Sequence, residues 1–184
     1  VYVGAEVIAG DSIIAYGIAL GISASTAKFF TTFTLMAMVA TYSIGVILIP
    51  KYISQQKALQ ISALLGIVFS ILILMTNGFI SILFVAALGI ANALVWPAVW
   101  PLTLDGLGKH TKTASALLIM AIAGGAIIPP LYGRLVDKGK ENLIQSGLSP
   151  SDALATSAQE SYYILIPCYL IIYGFAVFAK RFRN

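Results

Sequence analysis

Long apolar segments alternate with short polar ones along the chain, and this pattern predicts helices that cross a membrane. Each apolar segment has about 18 to 25 residues, which at about 1.5 Å per residue crosses a hydrocarbon core about 30 Å thick. None alternates apolar and polar residues as the strands of a membrane barrel do. We therefore predict an all-α membrane protein with six transmembrane helices, at residues 1–22, 26–50, 58–76, 80–104, 113–133 and 162–179.

Turn-forming residues separate these segments. Asn77 and Gly78 predict a tight turn between the third and fourth helices. The polar segment 134–161 is much longer, and we expect it to be an extramembrane loop that contains a short amphipathic helix. Ser149 is the expected N-cap of that short helix, because Pro150 follows it at the favoured first position.

The composition and charge of the chain agree with a membrane environment. Hydrophobic residues make up 59% of the chain and charged residues 10%, against about 25% charged in soluble domains. Lysine and arginine cluster on one side of the predicted helices, so the positive-inside rule places loops 51–57 and 105–112 and the C-terminal segment 180–184 in the cytoplasm. Segment 134–161 is then extracytoplasmic. We expect a multi-pass protein of the cell inner membrane, and we take the net charge of +4 as a sign of topology, not of nucleic-acid binding.

The residues that usually carry enzyme chemistry are sparse in this sequence. Cys168 is the single cysteine and lies in an apolar segment, where a small buried side chain is the expected role. His110 lies in a polar loop with no other histidine or cysteine nearby, so we expect no metal site. With no nucleophile beside a base and no glycine-rich phosphate loop in the sequence, we predict neither an enzyme nor a cofactor.

Two carboxylic acids, Glu6 and Asp11, lie inside the first predicted helix. A charged side chain near the centre of a lone membrane helix costs about 2.5 to 3.5 kcal/mol on insertion scales, so such residues usually face the bundle interior or a watery cavity. All eleven lysines and arginines lie in predicted loops or at predicted helix ends, which leaves these acids without a basic partner in another predicted helix. We expect Glu6 and Asp11 to contribute to a binding site. The alternative is a structural role in which they tie this helix to its neighbours.

One face of the fourth predicted helix carries a second set of candidates. Asn92, Trp96 and Trp100 recur every four residues and Thr103 follows three later, so all four share one face of a helix. An indole ring can stack on the apolar face of a sugar and donate a hydrogen bond from its N–H. We expect Asn92, Trp96 and Trp100 to line a substrate cavity. Packing of the bundle, or for Trp100 a place in the interfacial aromatic belt, is the alternative.

Three stretches of the sequence resemble the second half of the fucose-permease-type sugar symporters, a branch of the major facilitator superfamily. The most specific part is a Gly-Leu-Gly loop followed by Gly-Gly and Pro-Pro pairs, and together the matches extend over nearly the whole chain. The stretches are YVGAE at 2–6, WPAVWPLTLDGLGKHTKTASALLIMAIAGGAIIPPLYGRLVD at 96–137 and YYILIPCYLIIYG at 162–174.

The resemblance implies a transporter with twelve helices in two halves, of which this chain is the C-terminal six-helix half. A monosaccharide substrate is then held between the halves near the middle of the lipid bilayer, and access alternates as one half rocks against the other. The partners implied are the sugar, H⁺ or Na⁺ as the coupling ion, and the N-terminal six-helix half. The abrupt start of the chain within an apolar segment also leads us to expect a fragment.

The resemblance also bears on individual residues. It implies that Glu6, in the Tyr-Val-Gly-Ala-Glu motif, and Trp96, just before a proline, line the sugar cavity. Two positions depart from the family pattern. Val46 follows Gly45 where many members carry an arginine that latches the closed state, and Asp11 stands where members carry an uncharged residue.

The leading hypothesis from the sequence is cation-coupled symport of a hexose or deoxyhexose such as fucose, glucose or galactose. The alternative is a stand-alone six-helix membrane protein that acts as a scaffold or as a homodimeric half-transporter.

Overall fold

The computed structural model describes residues 1–179, and within them six helices are long and apolar enough to cross a membrane. No β-strand occurs in this part of the chain, so the predicted all-α fold with six membrane helices is confirmed. The predicted cytoplasmic segment 180–184 lies outside the described residues. The six helices are α1 (Tyr2–Ala19), α2 (Ala24–Leu48), α3 (Gln55–Met75), α4 (Phe79–Leu104), α5 (Gly108–Gln145) and α6 (Pro150–Phe178).

The structure differs from the sequence-based expectation between the last two helices. Segment 134–161, expected to be a loop, is almost entirely helical, and only residues 146–149 connect α5 to α6. Its charged residues are compatible with a helix, so the chain turns only where Gly147 takes a positive φ of 97°. The 38 residues of α5 make a helix about 57 Å long, which exceeds a hydrocarbon core of about 30 Å. The polar end of α5 therefore extends beyond the apolar part of the helix.

The predicted cap at the start of α6 is confirmed. Ser149 is the N-cap, its Oγ accepts a hydrogen bond from the backbone N–H of Asp152 at 3.2 Å, and Pro150 is at the first helical position. Ser149 thus satisfies one of the N–H groups that the first turn of a helix leaves without a partner.

A π-helical turn at Ile8–Ser12 interrupts the regular hydrogen bonding of α1. Two hydroxyl groups of α2 bind carbonyl oxygens in this turn. Thr31 donates to the carbonyl of Gly10 at 2.7 Å, and Thr34 donates to that of Ala9 at 3.4 Å. The irregular turn, of a kind often found at functional sites, is therefore attached to α2.

A break at residues 93–94 divides α4 into Phe79–Asn92 and Val95–Leu104. Pro97 has no N–H, so the carbonyl of Ala93, four residues earlier, lacks its usual helical donor. The break places Asn92 at the end of one helical segment and Trp96 at the beginning of the next.

The core of the bundle lies between α1, α3, α4 and α6, where most of the fully buried side chains are found. Glycines allow close approach at several contacts. The ring of Tyr169 on α6 lies directly against Gly66 on α3, and the backbone carbonyl of Thr34 on α2 lies against Gly89 on α4. A side chain at either glycine would overlap these atoms.

Two helices, α2 and α5, lie at the edge of the bundle. Only Phe30, Thr34 and Gly45 are buried in the main part of α2, and Tyr132 alone is buried in the helical segment Gly124–Gln145 of α5. Large apolar side chains are exposed on both helices. They include Met36, Val39 and Ile47 on α2 and Leu117, Met120 and Ile127 on α5.

Candidate functional site

Tyr2 joins the first turn of α1 to the break in α4, and Glu6 lies beside Tyr2. Glu6 lies four residues after Tyr2, so the two side chains are neighbours on the same side of α1. The Tyr2 hydroxyl donates to the backbone carbonyl of Asn92 at 3.3 Å. Tyr2 and Glu6 are both half-buried.

Asn92 is fully buried at the end of the first segment of α4. Its side-chain oxygen Oδ1 accepts a hydrogen bond from the Tyr169 hydroxyl of α6 at 3.0 Å. Its side-chain nitrogen Nδ2 has no hydrogen-bond partner among the described residues. Asn92 therefore contacts α1 through its backbone and α6 through its side chain.

Aromatic rings continue from Tyr2 along α4. The ring centroids of Trp96 and Tyr2 are 6.3 Å apart, and their planes differ by only 18°. The ring centroids of Trp96 and Trp100 are 5.7 Å apart. Both tryptophans are half-buried. Thr103, on the same predicted face, donates to the carbonyl of Val99 at 2.8 Å within its own helix. We call the following group the polar–aromatic cluster: Tyr2, Glu6, Asn92, Trp96, Trp100 and Tyr169.

The structure thus brings together four of the five predicted site residues and places Asp11 elsewhere. Asp11 lies in the π-helical turn and is exposed. Within residues 1–179, no hydrogen bond or ion pair joins Asp11 to the polar–aromatic cluster. The next residue, Ser12, faces the interior, where its hydroxyl is 2.8 Å from that of Tyr162. Asp11 is therefore exposed in the π-helical turn and is not part of the polar–aromatic cluster.

Sequence reasoning missed Tyr2 and Tyr169 as members of the cluster. Tyr2 could have been found from its position four residues before Glu6 in the opening motif. Tyr169 lies in a long apolar stretch, and the only sequence signal is that a buried tyrosine hydroxyl usually needs a partner. Its partner on α4 is 77 positions away in the chain.

The arrangement of the helices is that of a major facilitator superfamily transporter. The chain superimposes on a crystal structure of the superfamily transporter FucP in the outward conformation with a TM-score of 0.83 and 23% sequence identity. The match covers 97% of this chain and 39% of that protein. At this identity the likeness shows the fold. The likeness in fold and the six apolar helices together show a multi-pass membrane protein.

The sequence relatives define the branch of this superfamily. A glucose/galactose transporter of Brucella abortus is 34% identical over 140 residues, which are 74% of this chain and 34% of the relative. An L-fucose-proton symporter of Haemophilus influenzae is 25% identical over 139 residues, 76% of this chain and 32% of the relative. No protein-family model matches the chain.

The chain belongs to the fucose permease-like sugar symporters of the major facilitator superfamily, as the sequence resemblance predicted. It spans about a third of the length of the two relatives. They are named as a transporter and a symporter, which agrees with the expectation that the protein is not an enzyme.

Proposed function

We propose that this chain is the C-terminal six-helix half of a symporter that moves a monosaccharide across the cytoplasmic membrane. The substrate class is a hexose or deoxyhexose such as glucose, galactose or fucose, and the names of the relatives support this class. The coupling ion is a cation, H⁺ or Na⁺. The L-fucose-proton symporter among the relatives favours H⁺.

The polar–aromatic cluster is the observation that supports sugar binding most directly. A sugar offers hydroxyl groups at its edge and an apolar C–H face, and a site for it combines a hydrogen-bonding group with an aromatic ring. Glu6 supplies a carboxyl group and Trp96 supplies an indole, and both contact Tyr2. In our proposal the sugar stacks on Trp96, and Glu6 binds one of its hydroxyl groups.

The exposed apolar surfaces of α2 and α5 support the proposal that a second half of the transporter packs against this chain. The exposed apolar side chains of α2 and α5 would be stable against lipid, but the exposed Asp11 would not, because a carboxyl group within the membrane needs water or a polar partner. The relatives are about three times as long as the matched segment. We propose that the N-terminal half covers this face and leaves a hydrated cavity at Asp11. A second copy of this chain, as in a homodimeric half-transporter, is the alternative occupant.

The irregular points of α1 and α4 fit alternating access. The π-helical turn of α1 and the break at residues 93–94 of α4 lack part of the regular helical hydrogen bonding. In the sequence, the π-helical turn follows Glu6 closely and the break in α4 lies between Asn92 and Trp96. In our proposal these points bend as the two halves rock, so that the cluster opens to one side of the membrane at a time.

Uptake of radiolabelled glucose, galactose and fucose by the full-length protein in proteoliposomes tests this proposal. We expect uptake of at least one sugar to depend on an inward H⁺ or Na⁺ gradient. Trp96→Ala should reduce that uptake about fivefold or more, because it removes a stacking ring worth about 1 to 3 kcal/mol. Tyr163→Ala on the exposed side of α6 should transport normally. Absence of uptake of all three sugars under both gradients would refute sugar symport.

The role of Asp11 is tested separately in the same assay. If Asp11 faces the hydrated cavity and takes part in ion coupling, Asp11→Asn should change the dependence of uptake on external pH or Na⁺. A structural acid would leave both profiles unchanged, and that result would remove Asp11 from the site.

A further inference from the structure

The side chain of Asn92 uses only part of its hydrogen-bonding capacity. A carboxamide offers two N–H donors and an oxygen acceptor. Here Oδ1 is bound by Tyr169 at 3.0 Å, while Nδ2 is fully buried and has no acceptor among the described residues. A buried donor without an acceptor is unfavourable and rare, so Nδ2 is a donor open to a partner that is absent from the described residues.

Tyr169 determines how this carboxamide is oriented. The tyrosine is fully buried, and its ring rests against Gly66 of α3, where any larger residue would overlap it. Its hydroxyl is therefore held at a fixed point beside Asn92. Because a carboxamide is planar, binding its oxygen from one side also fixes the position of its nitrogen. Tyr169 thus keeps Nδ2 turned away from its own hydroxyl.

The neighbours of Asn92 on α1 show what kind of group completes the site. Tyr2 binds the backbone carbonyl of Asn92 at 3.3 Å, and Glu6 is next to Tyr2. A sugar hydroxyl can donate to a carboxylate and accept from an N–H group at the same time. Nδ2 therefore offers a donor, and Glu6 on α1 offers an acceptor, to the hydroxyl groups of a bound sugar. Tyr2 and Glu6 are half-buried whereas Asn92 is fully buried, so the side chains of α1 form the outer layer of the cluster.

We propose that Tyr169 is a positioning residue for sugar binding, which holds the Asn92 carboxamide so that Nδ2 donates to a hydroxyl oxygen of the sugar. This inference rests on the proposed function. The sugar reaches Nδ2 when the Tyr2 side chain turns aside. Tyr169 itself does not touch the sugar, and it acts only through Asn92.

The test compares two tyrosines of the same helix in the full-length protein. Tyr169→Phe removes only the hydroxyl and keeps the ring on Gly66. Tyr162→Phe is the matched control, because Tyr162 is also fully buried on α6 but pairs with Ser12, outside the cluster. We expect Tyr169→Phe to raise the KM of uptake about three- to tenfold with little change in kcat, as for loss of one oriented hydrogen bond. Tyr162→Phe should leave KM unchanged.

Two further measurements separate positioning from a general loss of stability. In an Asn92→Leu background, Tyr169→Phe should raise KM no further, since the group it positions is gone. Among deoxy analogues of the transported sugar, the one that lacks the hydroxyl bound by Nδ2 should have the same KM in the parent and in Asn92→Leu. This comparison tests the contact between Nδ2 and the sugar independently of Tyr169→Phe, and its failure removes the group that Tyr169 is proposed to position.

The inference fails if the parent protein transports a sugar and folded Tyr169→Phe has the parent KM, or if every analogue loses affinity equally in Asn92→Leu. Either result leaves the proposed function intact. If the parent transports no sugar, the proposed function and this inference fail together.

Discussion

The contact between Gly66 and Tyr169 yields the sharpest prediction about stability. A Cβ atom at Gly66 would overlap three atoms of the Tyr169 ring. The ring is fully buried and its hydroxyl is bound to Asn92 on the far side, so it cannot move away without losing that bond. Overpacking of a core usually costs about 1 to 3 kcal/mol, and a lost hydrogen bond adds about 0.5 to 1.5 kcal/mol. Gly66→Ala should therefore lower the free energy of unfolding by about 2 to 4 kcal/mol.

Gly174→Ala on α6 is the matched control for this prediction. No atom lies within 4 Å of a Cβ built at Gly174, and alanine is favoured over glycine in a helix by about 0.5 to 1 kcal/mol. Thermal unfolding of the detergent-solubilised full-length protein, followed by intrinsic fluorescence, measures both variants. In domains of this size, about 1 kcal/mol shifts the melting temperature by about 2 to 4 °C.

The expected result is a clear decrease in melting temperature for Gly66→Ala and none for Gly174→Ala. Equal melting temperatures for Gly66→Ala and the parent would show that Tyr169 does not pack on Gly66 as described. The same variant should also raise the KM for sugar, because it displaces the hydroxyl that positions Asn92.

Three further predictions follow from other contacts. Thr31→Val should lower the free energy of unfolding by about 0.5 to 1.5 kcal/mol, because it removes the hydroxyl that donates to the Gly10 carbonyl. The same thermal assay measures this change, and Thr32→Val, at an exposed position of the same helix, is the control. Glu6→Gln keeps the shape of the side chain and removes its charge, so sugar uptake should decrease while the melting temperature stays within a few degrees of the parent. Cysteines placed singly at residue 146 of a cysteine-free full-length protein should react with an impermeant reagent added outside intact cells, and those placed at residue 109 should not. The reverse labelling pattern would overturn the predicted topology.

Much of the fold could be predicted from the sequence because membrane helices are determined by local properties. The length and apolar character of each segment correspond to six helices, since backbone groups in hydrocarbon must find partners within their own segment. The cap at Ser149 was also predictable, because a cap involves only residues next to one another in the chain. The expectation at 134–161 was less accurate, since polarity indicates that a segment leaves the membrane but does not indicate that the helix ends.

The candidate site could be predicted in part. Glu6 was found as an acid within an apolar segment, and Asn92, Trp96 and Trp100 were found through their helical spacing. The family resemblance then pointed to Glu6 and Trp96 again. Their meeting with Tyr2 and Tyr169 depends on contacts between α1, α4 and α6.

The sequence by itself determined the membrane environment, the number of helices and the family, because these depend on local composition and on short motifs. Only the tertiary structure decided which polar groups lie together. It placed Asp11 on an exposed side of α1, joined Tyr169 to Asn92 across 77 positions of the chain, and left Nδ2 without an acceptor. The physical reason is that hydrogen bonds between helices depend on how the helices pack and rotate against one another, which spacing within a single helix does not specify.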